Sequence, residues 1–171
     1  MQRTIPGLII TLSLLVLLCS PEPTMGGPTK TRAVRQDAEL VVNTAALGLG
    51  GLLQKVAERE DQILMLRDFI QPIRFFPDGS GYFFVFDMDG ICIAHGAQPN
   101  LEGNNMLEFK DVKGFQVIKT MIEKSQTGGG YIEYNWEKPG SDGFFMKLGY
   151  VAPIPGTDFL LGSGVYFPEP W

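Results

Sequence analysis

Lys147 is the residue in this chain whose setting is hardest to explain without chemistry. It sits inside an apolar run, Phe144-Phe145-Met146-Lys147-Leu148-Gly149-Tyr150. A lysine there must snorkel to the rim, pair with an acid or meet an anion, because burying its charge alone costs several kcal/mol. Arg74 follows Pro72 just ahead of another apolar segment. Its planar fork suits a carboxylate, and it also reads as a surface charge at a helix end. His95 closes a short apolar stretch, and alternation puts it on one face with Ile91 and Ile93, as a hydrogen-bonded core group or a ligand contact. Tyr82 shares a face with Phe84 and Phe86 and alone of the three has a polar tip. Tyr134 and Tyr150 are weaker candidates of the same kind.

Catalytic chemistry finds little here. Cys92 and His95 suggest a nucleophile and base, but a separation of three in a strand puts them on opposite faces. No serine lies in a Gly-x-Ser-x-Gly elbow. One histidine and two cysteines leave too few ligands for a zinc site, so no metal or other cofactor is expected. Asp87 and Asp89 lack the further acids of a calcium loop and read as a turn. The chain is therefore expected not to be an enzyme.

The elements that must hold these residues follow from periodicity. Ala38, Val41, Val42, Ala45, Leu49, Leu52, Leu53 and Val56 recur at steps of three and four, which predicts a long amphipathic helix. Gly48, Gly50 and Gly51 within it read as sites of close packing on a sheet. A second helix is predicted from about Asp61 to Gln71, where Pro72 stops it. Then the period falls to two. Tyr82–Asp87 and Ile91–His95 read as strands joined at Asp89-Gly90. A long loop is expected over Gly96–Gly114, then a helix over Gly114–Ser125. Strands are predicted at Tyr131–Glu137, Phe144–Ala152 and Phe159–Phe167. Adjacent hairpins imply an antiparallel sheet and an α+β fold.

Composition limits the classes of function. The 171 residues carry 14 Lys+Arg against 19 Asp+Glu, a net charge of −5, which argues against a general nucleic-acid binder. With 44% hydrophobic residues the chain buries a real core. Arg3 precedes an apolar run, Ile5–Leu18, of signal-peptide length and shorter than the about 20 residues of a bilayer span. Cleavage after Gly26 and lipid attachment at Cys19 both stay open. Residues 1–26 are thus expected to be an export signal and 27–35 a tether, followed by a domain over 36–167 and a tail over 168–171.

The residues after Gly81 resemble the single Cache domain, an extracellular, PAS-like sensory module of bacterial chemoreceptors and sensor kinases. The matching pieces are Gly81-Tyr82-Phe83-Phe84-Val85-Phe86-Asp87, Asp89-Gly90, Ala94-His95 and Pro99-Asn100-Leu101-Glu102-Gly103-Asn104. They continue with Asp111-Val112-Lys113-Gly114, Gly129-Gly130-Tyr131-Ile132-Glu133-Tyr134-Asn135-Trp136, Lys147-Leu148-Gly149-Tyr150 and Gly162-Ser163-Gly164-Val165-Tyr166. The resemblance implies a long N-terminal helix packed on a five-stranded antiparallel sheet. It also implies a pocket between sheet and long loop for a small organic ligand, a short-chain carboxylate being favoured. Arg74, Tyr82, His95, Lys147, Tyr150 and Tyr134 become the ligand-binding candidates. Where the family has a proline after the histidine, this chain has Gly96. It stops at Trp171, so it reads as a free-standing sensor in the periplasm or cell envelope. Its expected partners are a membrane receptor or sensor kinase and a second copy met through the N-terminal helix. The alternative is a scaffold subunit of an envelope signalling complex with no ligand.

Overall fold

A computed structural model describes residues 28–167. The expected export signal, Cys19 and the tail at 168–171 lie outside the described residues. Helix α1 spans Pro28–Leu53 and α2 spans Arg59–Ile70. Strands β1 (Phe84–Asp87) and β2 (Cys92–His95) follow, then a 3-10 turn at Pro99–Leu101 and helix α3 (Val117–Gln126). The chain closes with β3 (Gly130–Glu137), β4 (Phe144–Pro153) and β5 (Phe159–Tyr166). Every expected helix and strand is present. The first helix begins earlier than its apolar stripe indicates, so residues 28–35, expected as a tether, are helical.

The five strands form one antiparallel sheet in the order β2-β1-β5-β4-β3. Helices cover both faces. On one, Val42, Ala46, Leu49 and Leu53 of α1 and Leu66 and Ile70 of α2 pack on Val85, Tyr150, Ala152, Phe159 and Leu161. On the other, Val117, Ile118, Met121 and Ile122 of α3 pack on Phe84, Phe86, Ile132, Tyr134, Trp136 and Leu160. Strand alternation separates the two sets, so each sheet face carries its own core. Of the three helical glycines, only Gly50 packs closely, with Pro155 2.8 Å from where a Cβ would stand. Gly48 and Gly51 have nothing within 4 Å of that position, so the packing expected of them is absent.

Two local features decide what faces the second core. Asp87 opens the β1–β2 turn: its Oδ1 accepts the N–H groups of Asp89 (3.1 Å) and Ile91 (2.8 Å). Its other oxygen meets Arg59 of α2 at 3.1 Å. These contacts give the Asp87 carboxylate a structural role in the turn. The second feature is a β-bulge. Val85 pairs with Ala94 but Phe86 pairs with Cys92, so Ile93 is an extra residue in β2. Simple alternation therefore fails here. Ile93 and Ala94 both face the α1 core, and Cys92 lies in the α3 core. His95, paired with Phe84, also turns to the α3 side. The expectations that Cys92 and His95 lie on opposite faces, and that His95 shares a face with Ile93, are thus corrected.

Candidate functional site

Lys147 is 1% exposed, so it does not snorkel. Cross-strand register sets Tyr134 of β3 on one side of it and Tyr166 of β5 on the other. Gly164 makes room for the stem, because a Cβ there would stand 3.0 Å from Lys147 Cε. The ammonium nitrogen lies over the Tyr82 ring, 3.9 Å from its centroid, with Tyr166 at 4.9 Å and Phe84 at 5.3 Å. Among the described residues no carboxylate forms an ion pair with Lys147. Burial lowers its pKa well below the ordinary lysine value.

Lys147 borders a small cavity of about 10 Å3, room for a single water. Its lining comes from every layer of this face: Tyr82, Phe84 and Phe86, His95, Ile118 and Met121, Tyr134 and Trp136, and Lys147. The cavity is polarised. Lys147 and His95 both converge on Tyr82, His95 with its ring centroid 5.1 Å from that phenol. Phe86, Ile118 and Met121, which also line the cavity, carry no charge.

His95 is held in one form. Its Nδ1 accepts the backbone N–H of Gln98 at 2.9 Å, so in the neutral ring the proton sits on Nε2. Burial first, then the charges of Lys147 and Arg74, lower its pKa to about 3. At neutral pH His95 is an uncharged N–H donor. The phenols are paired with one another. Tyr82 and Tyr166 share a 2.9 Å hydrogen bond, and Tyr166 donates to the Glu137 carbonyl at 2.6 Å. Burial raises the pKa of Tyr82, Tyr134 and Tyr166 above the ordinary phenol value, so all three stay protonated.

Of the six expected site residues, the fold brings four to this cavity: Tyr82, His95, Tyr134 and Lys147. Tyr150 is three residues from Lys147 and faces the α1 core, where Asn43 Nδ2 donates to its hydroxyl at 3.4 Å. Arg74 lies outside the cavity. Its guanidinium donates to the carbonyls of Gln71 (3.1 Å), Ile73 (2.7 Å) and Gly96, strapping the end of α2 to the start of the long loop. Cys92 has a thiol pKa raised to about 12, by burial first and then by Glu102. It is no thiolate nucleophile, although it shares a face with His95.

Trp136, Met121 and Gln98 were not anticipated. The Trp136 indole N–H donates to Gln98 Oε1 at 2.7 Å, and Gln98 Nε2 donates to Glu137 at 2.6 Å. Gln98 thereby joins the long loop to β3 while its own N–H fixes His95. Two acids complete the closure. Glu102 accepts the His95 backbone N–H at 3.1 Å and pairs with Arg67 at 2.9 Å. Asp111 accepts from Lys113 N, Phe115 N, Asn135 N and Asn135 Nδ2, all within 3.0 Å. Burial raises its pKa, but these donors outweigh that and hold it below the usual carboxylate range.

The description "Cache domain" belongs to a family model that matches residues 53–169. The chain belongs to the Cache domain family. The match contains the whole sheet, α3 and the cavity. Among solved structures, a Cache chemosensory domain described for carboxylic acid recognition is 30% identical. It superposes with a TM-score of 0.71 over 81% of this chain and 96% of that one. A methyl-accepting chemotaxis protein from Vibrio parahaemolyticus is 28% identical, with a TM-score of 0.72 over 82% and 93% of the two chains. The sensor histidine kinase MctS of Rhizobium johnstonii is 37% identical over 89 residues, 52% of this chain and 19% of the kinase. The methyl-accepting chemotaxis protein McpP of Pseudomonas putida is 29% identical over 142 residues, 82% of this chain and 25% of McpP. The chain thus spans a quarter or less of these two relatives and carries the Cache sensory domain. Cache domains are non-catalytic sensors of small ligands. No helix among the described residues is long and apolar enough to cross a membrane.

Proposed function

We propose that this Cache domain is a sensor of short-chain carboxylates that works outside the cytoplasm. The observation that carries this reading is Lys147, a buried amino group with no acidic partner among the described residues, set beside a neutral His95 donor in a small cavity. A carboxylate there accepts hydrogen bonds from both groups and gives Lys147 the acidic partner it lacks. The polarised lining suits a small acid with an apolar tail. The similarity to a Cache domain described for carboxylic acid recognition favours the same class. An acetate-sized guest needs more room than the cavity offers. Met121, unbranched and adaptable, is the wall best able to yield.

Calorimetry of the purified chain with acetate and propionate tests the reading. Acetate has four heavy atoms, and at most about 1.5 kcal/mol per atom gives about 6 kcal/mol. Binding should then be no tighter than about tens of micromolar. Absence of binding to both acids at millimolar concentration overturns the assignment.

We propose a membrane receptor or sensor kinase as the domain's signalling partner, and export through residues 1–26, with Cys19 as a candidate lipid anchor. Fractionation of cells and labelled fatty acid with Cys19→Ser test these two points. The exposed side of α1, where Leu40 and Leu47 are each 67% exposed, favours pairing with a second copy.

A further inference from the structure

We propose that the cavity takes up a short monocarboxylate together with one proton, so that its net ligand is the neutral acid. The proposal rests on the carboxylate reading of the cavity and adds the charge balance of the complex.

The argument starts from what faces Lys147. Tyr82 ahead of β1, His95 of β2, Tyr134 of β3 and Tyr166 of β5 are the titratable groups around it, and α3 contributes only Ile118 and Met121. The Tyr82 and Tyr166 hydroxyls are bound to each other, and Tyr166 donates onward to the Glu137 carbonyl. The Glu137 side chain is engaged by Gln98. The Arg74 guanidinium is outside, on the carbonyls of Gln71, Ile73 and Gly96. None of these groups supplies a negative charge to Lys147. Three aromatic faces attract a cation, but a cavity for one water solvates it poorly. In the empty domain the balance favours the free amine, the direction in which burial drives the group.

An entering carboxylate reverses that balance. A bare amine beside a buried carboxylate leaves the anion uncompensated, whereas an ammonium pairs with it. The step is Lys–NH2 + H+ + RCOO− → Lys–NH3+···−OOCR. The proton comes from solvent, and no covalent bond other than N–H is made. His95 does not supply the proton, since its Nδ1 is occupied by the Gln98 N–H and its ring is already neutral. With one cation and an apolar far end, the cavity has nothing to balance a second carboxylate. Dicarboxylates are therefore excluded.

Affinity should fall about tenfold per pH unit between the pKa of Lys147 in the empty domain and its higher value in the complex. Calorimetry of the purified chain with acetate, in phosphate and in Tris at about pH 8, reads proton uptake from the difference in buffer ionisation heat. The expected result is net proton uptake, approaching one proton per acetate, with binding that tightens as pH falls. Succinate should not bind. Nitrogen NMR of the Lys147 side chain gives a second reading independent of any variant: an amine signal without acetate and an ammonium signal with it. Acetate binding with no buffer dependence and an ammonium signal throughout overturns the proposal and leaves the carboxylate pocket standing. Proton uptake that persists in Lys147→Met moves the proton to another group and also overturns it. Failure of acetate and propionate to bind at any pH between about 6 and 9 removes the pocket reading, and this proposal with it.

Discussion

Lys147 decides the site at the level of single residues. Lys147→Met keeps the apolar stem and deletes the charge. Acetate affinity should fall by about 1.5–3 kcal/mol, the usual worth of a hydrogen bond to a charged group. Stability toward denaturant should hold or rise, because an unpaired buried amine has gone. Lys119, exposed on α3, gives the control substitution Lys119→Met, which should alter neither. Equal acetate affinity in both variants would leave Lys147 without a binding role. His95 makes a separate prediction about acid. Its pKa is about 3 in the fold against an ordinary value of 6.5. The unfolded chain therefore binds a proton through this range and the folded chain does not, so stability present above about pH 6.5 is lost as pH falls toward 3. The slope is at most about 1.4 kcal/mol per pH unit from this group. Chemical denaturation of the unliganded chain at several pH values checks it, and His95→Phe should flatten the curve between pH 6.5 and the carboxylate range. The residues also show what could be read in advance. Lys147 was legible because a lysine in an apolar strand is anomalous by itself. Tyr150 was misjudged although alternation alone separates it from Lys147. Cys92 and His95 could not be placed, because the bulge at Ile93 leaves no mark in the residue pattern. Trp136 and Gln98 act through cross-strand and loop contacts that no local spacing contains.

Helix α3 and the loop before it act as one cover over the sheet. Periodicity of 3.6 and 2 identified the three α-helices and five strands, with boundaries within a few residues except at the start of α1, which is helical from Pro28. The loop over 96–114 was legible only as a loop. Its order comes from Glu102, Asp111 and Gln98, whose partners lie on α2, β2 and β3. Met121, with Ile118, is where this cover lines the cavity. Met121→Ala should remove about 2–5 kcal/mol of stability by leaving a void in the core. The same void lengthens the pocket, so affinity for butanoate relative to acetate should rise, by about tenfold for roughly two added methylenes that fill it. Calorimetry with both acids reads the ratio, and Met121→Val gives a milder version should the alanine variant be too unstable. An unchanged ratio would mean that α3 does not gauge ligand length.

Across the whole molecule, the two sheet faces divide the work. One face holds the cavity, and the other is buried under α1 and α2, and α1 carries an apolar stripe on its outer side. Leu40 and Leu47 lie two helical turns apart on one stripe of α1, with Leu52 51% exposed further along. Between them Leu40, Val41, Thr44, Ala45, Gly48, Leu49 and Leu52 line a groove against Phe69 of α2. Gly48 has open space where a side chain would stand, so another helix could approach the backbone closely there. A stripe that repeats over two turns is self-complementary about a twofold axis, which is what a symmetric dimer requires. Sedimentation velocity of the purified chain should therefore show monomer giving way to dimer as concentration rises. The double substitution Leu40→Lys and Leu47→Lys puts four like charges across that axis and should hold the chain monomeric. Because these leucines lie on the sheet face opposite the cavity, acetate affinity of the double variant should match that of the parent. A parent chain that stays monomeric at hundreds of micromolar would show that this stripe does not pair with its own copy.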